Sequence, residues 1–192
     1  MIGQNKRAEI RLHAKLAAHH LEVITMRICF IHGKESGPHG RKISRLSQVA
    51  ESLGHETLAP DFTDSFDPDV RLAKLLSLFE DQQPPDILVG SSMGGYVATA
   101  ASEVLRPAGL FLMAPALGMP GYARQDIQPY AVKTVIVQGW QDDVVPVANV
   151  LQFAQRARAD LHVFNAGHTL TEKLGEIEVL FAGFLKEVLL CR

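Results

Sequence analysis

The sequence has few cysteines, no excess of basic residues and no apolar segment long enough to cross a bilayer. Its two cysteines, Cys29 and Cys191, are too few for a disulfide framework, so we expect reduced thiols and a cytoplasmic location. The formal net charge is −2, and no basic run is interleaved with aromatics, which disfavours binding to nucleic acid or to a membrane surface. The cysteines lack metal-ligand spacing, and the chain has neither a P-loop nor a Gly-x-Gly-x-x-Gly turn, so we expect no metal and no nucleotide or other cofactor.

The chain does have the apolar content of a folded domain. It contains 192 residues, of which 47% are hydrophobic, and this favours one globular domain with a full core. Residues 1–25 have apolar positions near helical spacing in a basic context, which predicts a short helix or a poorly ordered extension. Because Met26 directly precedes the first strand-like run, we expect residues 26–192 to form the domain and residues 1–25 to be dispensable for folding.

From Met26 onward, short apolar runs alternate with amphipathic stretches. This alternation predicts an α/β fold with three layers, in which helices cover both faces of a mainly parallel, doubly wound sheet. The last four strands are apolar enough to be buried on both faces, and the helix that starts at Pro146 should bury Val150, Leu151 and Ala154. The predicted sheet has about six strands, at residues 28–31, 56–59, 87–89, 110–113, 134–137 and 161–164.

The third predicted strand runs into a helix through a Gly-x-Ser-x-Gly turn, from Gly90 through Ser92 to Gly94. In such a turn the serine occupies a strained corner that exposes its hydroxyl, and small neighbours let the strand and helix backbones approach closely. An ordinary glycine-rich connection could have the same pattern. The apolar run before the turn and the small-residue helix after it favour Ser92 as a nucleophile.

A serine nucleophile needs a base, usually a histidine oriented by a carboxylate. Since the carboxyl ends of parallel strands meet at one edge of the sheet, the partners should lie just after strands. Asp142 and Asp143 follow the fifth strand, and either could supply the carboxylate or be a solvated loop residue. His168 follows the sixth strand and is the histidine best placed to act as the base.

With these motifs the sequence resembles the α/β-hydrolase superfamily, specifically its small members without a large lid. The resemblance extends from Met26 to the end and includes the order serine, aspartate, histidine. It rests on His32-Gly33, on Gly90-Ser91-Ser92-Met93-Gly94, on Gly139-Trp140-Gln141-Asp142 with Val145-Pro146, and on Gly167-His168. The family pattern maps the acid onto Asp142 and the two oxyanion-binding N–H groups onto Lys34 and Met93.

The resemblance implies a serine hydrolase that cleaves a carboxylic ester or thioester of a small molecule through a covalent acyl-enzyme. A peptidase or carbon–carbon bond hydrolase would use the same triad. A protein with this fold that has no activity and only binds partners is a further alternative. The sequence leaves the natural substrate and the oligomeric state open.

The segment between the fourth and fifth predicted strands, where larger relatives insert a lid, is short. It has room for a loop and one helical turn, so we expect a shallow pocket that prefers short acyl groups. Leu117, Met119 and Tyr122 are its apolar residues closest to the predicted site. They either line a substrate pocket or cover the edge of the sheet.

Overall fold

The computed structural model describes residues 24–191 and contains one six-stranded sheet flanked by helices. The predicted extension, residues 1–25, lies outside the described residues except for its last two. A short 3₁₀ helix, Thr171–Lys173, precedes the last α-helix. The strands are β1 (Arg27–Ile31), β2 (Glu56–Leu58), β3 (Ile87–Ser91), β4 (Gly109–Met113), β5 (Lys133–Gly139) and β6 (Asp160–Phe164); the helices are α1 (Arg41–Ser52), α2 (Pro68–Ser77), α3 (Met93–Leu105), α4 (Val147–Ala157) and α5 (Leu174–Leu190).

All neighbouring strands pair in parallel, in the order β2-β1-β3-β4-β5-β6. Because the strands are parallel, each connection has to return along a face of the sheet to the starting edge, and most of the connections contain a helix. The chain reverses its direction of winding at β1 and β3, which are adjacent in the sheet. Ligands of open α/β sheets bind beside such a reversal, at the carboxyl ends of the strands.

The sheet separates two apolar clusters, as a three-layer fold requires. Helices α2, α3 and α4 pack on one face, where Leu75, Tyr96 and Phe153 are buried. Helices α1 and α5 pack on the other face, where Leu46 and Phe181 are buried. The predicted α/β fold with helices on both faces is thus confirmed.

Two predictions about burial are wrong. Strand β6 is only half-buried because it forms an edge of the sheet and lacks a neighbour on one side. Leu151 is exposed because the buried stripe of α4 consists of Val150, Phe153 and Ala154. Apolar character predicted an interior position for Leu151, but its direction around the helix axis turns it toward solvent.

The turn between β3 and α3 is the tightest junction in the fold. Ser92 has a φ of 54°, a left-handed conformation that is costly for any residue with a Cβ atom. A Cβ on Gly90 would collide with the backbone of Gly94, and a Cβ on Gly94 would collide with the carbonyl of Ile31 in β1. The two glycines therefore allow the helix to start directly against two strands.

Replacement of Gly94 by alanine should destabilise the fold by about 1–3 kcal/mol or more, because the new methyl group meets backbone that cannot move aside. Gly183→Ala is the matched control, since the space around Gly183 in α5 is open. That change should instead stabilise the protein by about 0.5–1 kcal/mol through the better helix propensity of alanine. Urea unfolding of both variants measures the difference. Equal stability of the two variants would contradict this account of the turn.

Candidate active site

Three side chains from three different strand ends meet at the carboxyl edge of the sheet. Ser92 follows β3, Asp142 follows β5 and His168 follows β6. The Nε2 atom of His168 lies 3.0 Å from the Ser92 Oγ. Its Nδ1 atom lies 2.9 Å from the Asp142 Oδ2 and 3.0 Å from the Oδ1. Residues separated by up to 76 positions in the sequence are therefore connected in one chain of hydrogen bonds.

These contacts define which ring nitrogen of His168 holds the proton. A carboxylate can only accept a hydrogen bond, so Nδ1 must donate to Asp142. In the neutral ring, Nε2 then has a free lone pair that accepts the hydroxyl proton of Ser92. This tautomer is the one that a histidine needs in order to remove a proton from serine.

Asp142, and not Asp143, contacts His168. The Asp142 side chain is fully buried. Its Oδ1 accepts hydrogen bonds from the N–H groups of Val144 and Val145, and its Oδ2 accepts one from the Gln138 side chain. Asp143 is exposed. The backbone turn after β5 therefore directs the first carboxylate inward and the second toward solvent.

Two backbone N–H groups beside Ser92 have no hydrogen-bond acceptor within residues 24–191. They belong to Met93, the first residue of α3, and to Lys34, in the loop after β1. Both residues line the cleft that contains Ser92. Helix N-termini and turns that leave N–H groups free favour negative charge. A negatively charged oxygen on a group attached to the Ser92 Oγ would accept hydrogen bonds from these two N–H groups.

Arg71 supports the loop that contains Lys34. Its guanidinium is fully buried and donates to the carbonyls of His32, Gly33 and Lys34 at 3.1–3.2 Å, and to the Ser65 carbonyl at 2.7 Å. Such a fork of donors connects three successive carbonyls of the loop to α2. Sequence reasoning missed Arg71, although its position four residues before Leu75 places it on the buried face of α2.

His32 supports the same loop from β1. Its Nδ1 lies 2.8 Å from the Gly33 carbonyl, so it donates there, and its Nε2 accepts the N–H of Phe62 at 2.9 Å. The ring is fully buried, and burial lowers its pKa below the usual 6.5. The neutral ring thus has both nitrogens satisfied, whereas the protonated ring would lose its acceptor for Phe62.

Gln138 and Glu172 are two further supporting residues. The sequence indicated no such role for Gln138, and it indicated Glu172 only as the partner of Thr169 in a helix cap, which does not form. Gln138 is buried in β5 and donates to Asp142 and to the Val145 carbonyl. Glu172 accepts the N–H of Gly167, next to His168. Polar side chains one strand or one turn away from a functional group give no local sequence signal, because their role depends on the folded geometry.

The cleft beside Ser92 has a volume of about 640 Å³. Met119 and Tyr122 lie on its wall, together with Pro120, Val144 and Val145. Leu117 lies in the core, with only 2% of its surface exposed, and is not part of the wall.

Within residues 24–191, no group of histidine, cysteine or acidic side chains is arranged to hold a metal ion. No helix in the same region has the length and apolarity to cross a membrane.

Comparison with known proteins identifies the family. The model of the alpha/beta hydrolase family matches residues 30–161, which include Ser92, Asp142 and most of the sheet. A solved structure from Xanthomonas campestris pv. campestris, assigned to the hydrolases of the alpha/beta superfamily, has 32% sequence identity. The match covers 84% of this chain and 99% of that one, with a TM-score of 0.77.

The chain belongs to the α/β-hydrolase family. More distant structures share its fold. Est1E from Butyrivibrio proteoclasticus has 16% identity over 86% of this chain and 88% of its own, with a TM-score of 0.73. An α/β serine hydrolase without a lid, also from Xanthomonas campestris, has 20% identity over 88% and 85% of the two chains, with a TM-score of 0.69. No curated protein matches this α/β hydrolase.

The absence of a large lid, predicted from the short segment after the fourth strand, agrees with these comparisons. Residues 114–132 connect β4 to β5 and contain no helix or strand. They cover the side of the cleft through Met119, Pro120 and Tyr122. Within residues 24–191, no separate lid covers the cleft beside Ser92.

The buried neutral His32 should make stability fall as the pH drops below about 6.5. There the unfolded chain binds a proton that folded His32 resists, because burial lowers the pKa in the folded state, and the linkage favours unfolding. His55, whose pKa burial also lowers, adds to the effect. His32→Gln should therefore flatten the dependence of the unfolding free energy on pH between about 6.5 and 5, as measured by urea unfolding.

The control is His39→Gln, because His39 is exposed. It should retain the slope of the wild type. A His32→Gln variant with an unaltered slope would show that this ring is not responsible for the loss of stability in acid.

Proposed function

We propose that this protein is a serine hydrolase that cleaves a carboxylic ester or thioester of a small molecule. The observation that carries the proposal is the continuous hydrogen-bond chain from the Ser92 hydroxyl through His168 to buried Asp142. A serine hydroxyl is a weak nucleophile at neutral pH, and a histidine in this tautomer activates it by accepting its proton. The catalytic residues in this proposal are Ser92, His168 and Asp142.

In the first half of the reaction, the Ser92 oxygen attacks the acyl carbon while its proton moves to His168 Nε2. The carbonyl oxygen becomes negative as the tetrahedral intermediate forms. The intermediate collapses when the bond to the leaving group breaks, and His168 gives its proton to the departing alcohol or thiol. The acyl group stays on Ser92 as an ester. Asp142 stabilises the positively charged imidazole during both steps.

In the second half, water attacks the acyl-enzyme while His168 again accepts a proton. The carboxylic acid product leaves, and the proton returns to the Ser92 oxygen. The negative oxygen in both halves binds to the free N–H groups of Met93 and Lys34. Arg71 acts as a positioning residue in this scheme, because its donors fix the carbonyls of the loop from which the Lys34 N–H projects.

The open cleft favours small substrates. In the described part of the chain no lid covers a long acyl chain, and the segment between β4 and β5 contributes only a short wall with Met119, Pro120 and Tyr122. Burial of each additional methylene group of an acyl chain is worth about 0.8 kcal/mol only where the protein covers it. Affinity should therefore stop rising once the acyl chain extends beyond this wall.

The proposal is tested with nitrophenyl esters and matching thioesters of increasing acyl length. We expect hydrolysis of the short members, with no jump in rate at the micelle threshold. Ser92→Ala should lower kcat by about 10⁶-fold, as loss of a serine nucleophile does elsewhere. Ser91→Ala is the matched control at the adjacent, buried position. No hydrolysis by folded wild type, or equal rates in wild type and Ser92→Ala, would favour a binding protein without activity.

The two neighbouring aspartates provide a second test. Asp142→Asn should lower kcat by about 10⁴-fold, because an amide can no longer hold His168 in the required tautomer. Asp143→Asn removes the same charge one residue away, on an exposed side chain, and should have an effect of less than about tenfold. Steady-state kinetics of both variants, with folding checked by circular dichroism, compares them. The reverse order would assign the carboxylate to Asp143.

A further inference from the structure

The cleft beside Ser92 has a positive wall in a protein with a formal net charge of −2. The loop after β1 and the first turn of α1 contribute three cationic side chains to its lining, from Lys34, Arg41 and Lys42. Glu35 is the one carboxylate among the lining residues of the described chain. The lining also includes apolar residues, among them Met119, Pro120 and Val144. With three cations and one carboxylate, the charged side chains of the lining have a net positive charge.

Among the half-buried lysines of residues 24–191, Lys42 is the one that forms no ion pair. Lys74, Lys133 and Lys173 each form an ion pair with a carboxylate. The ammonium of Lys34 lies 5.7 Å from the ring centre of Phe66. Lys42 is half-buried, yet the described residues offer its ammonium neither an ion pair nor a hydrogen bond. An ammonium that is partly removed from water without a partner is energetically costly.

Burial lowers the pKa of Lys42 to about 8, and the nearby negative charge of Asp142 opposes this shift without abolishing it. Asp142 cannot become a closer partner. Its two oxygens already accept hydrogen bonds from His168, Gln138, Val144 and Val145. Glu35, the carboxylate that lines the cleft, forms no ion pair with Lys42, so a negative group on a bound ligand would give this ammonium a partner.

We propose that Lys42 binds a negatively charged oxygen group of the substrate, so that the preferred substrates are anionic esters or thioesters. This inference rests on the proposed hydrolysis at Ser92, because it places the anion in the same cleft. A lysine is a point charge without a fixed fork of donors, so it accepts a carboxylate or a phosphate. The apolar residues of the lining would bind the uncharged part of the same molecule.

Two matched pairs of esters test the proposal. In the first pair, 4-acetoxybenzoate and its methyl ester differ in charge on the leaving group. In the second pair, 4-nitrophenyl hydrogen glutarate and 4-nitrophenyl methyl glutarate differ in charge on the acyl group. A further substrate, 4-acetoxyphenyl phosphate, carries a phosphate in place of the carboxylate of 4-acetoxybenzoate. We expect the wild type to favour the charged member of at least one comparison by about tenfold in kcat/KM, as one hydrogen bond to a charged group allows.

Three variants assign that preference to Lys42. The measured quantity is the kcat/KM for the charged ester divided by the kcat/KM for its neutral partner. Lys42→Met should lower this ratio by about tenfold. Lys42→Arg keeps the charge and should retain most of the ratio. Lys186→Met removes one positive charge from an exposed position of α5 outside the cleft, and should leave the ratio unchanged. A ratio near one in the wild type, or an equal ratio in wild type and Lys42→Met, overturns the proposal.

A pH profile separates binding by Lys42 from a structural role. As the pH rises above about 8, Lys42 loses its charge in the free enzyme, and the wild-type ratio should fall. The ratio in Lys42→Arg should persist. The other charged or titratable groups that line the cleft or act on Lys42 are Lys34, Glu35, Arg41, Asp142 and His168. They are present in both proteins and cancel in the comparison. Identical profiles would contradict the proposal.

Binding without turnover distinguishes failure of this inference from failure of the proposed function. In Ser92→Ala, calorimetric titration with 4-acetoxybenzoate should show tighter binding than with its methyl ester, and addition of Lys42→Met should remove the difference. Charge-selective binding in a protein without hydrolysis would support Lys42 and contradict the serine hydrolase. Hydrolysis of both esters without charge selectivity would support the serine hydrolase and contradict the role of Lys42.

Discussion

The close approach of β1, β3 and α3 around Gly90 and Gly94 is the constraint on which the site depends. Gly94 lies against the Ile31 carbonyl, so the start of α3 cannot move away from β1. Ser92 is thereby held at a positive φ, and its hydroxyl is directed over the edge of the sheet. The same contact brings the loop after β1 next to Ser92, and Lys34 of this loop lines the same cleft as Met93. One steric condition thus positions both the proposed nucleophile and the proposed oxyanion donors.

Buried polar groups then fix what the turn has brought together. Asp142 and His168 form one network, in which each lone pair of the carboxylate has a donor. Arg71 and His32 form another network beneath the loop after β1. Such networks rigidify a site when all members are satisfied, and they are costly when one partner is removed. The catalytic geometry therefore depends on residues in α2 and β5 that do not touch a substrate.

Much of this site could be predicted from the sequence, because its main residues follow strands directly. The turn at Ser92 and the position of His168 after the last strand were sufficient to bring both to one edge. Asp142 and Asp143 could not be separated by residue type alone, since both follow β5. The fold separates them through backbone N–H groups that only one carboxylate can reach. Arg71 was missed because a charged residue in a helix is usually exposed. Leu117 was a candidate for the pocket but lies in the core, because apolar character alone does not distinguish a pocket residue from a core residue.

The central claim is that the Ser92 hydroxyl is an activated nucleophile, and reaction with a fluorophosphonate tests it most directly. The phosphonyl group forms a bond to an activated serine oxygen as fluoride leaves, and no substrate has to be known. Mass spectrometry of the intact protein and of its peptides should show one phosphonyl group per chain, on Ser92, and none in Ser92→Ala. An unlabelled folded wild type, or equal labelling of Ser92→Ala, would contradict the account.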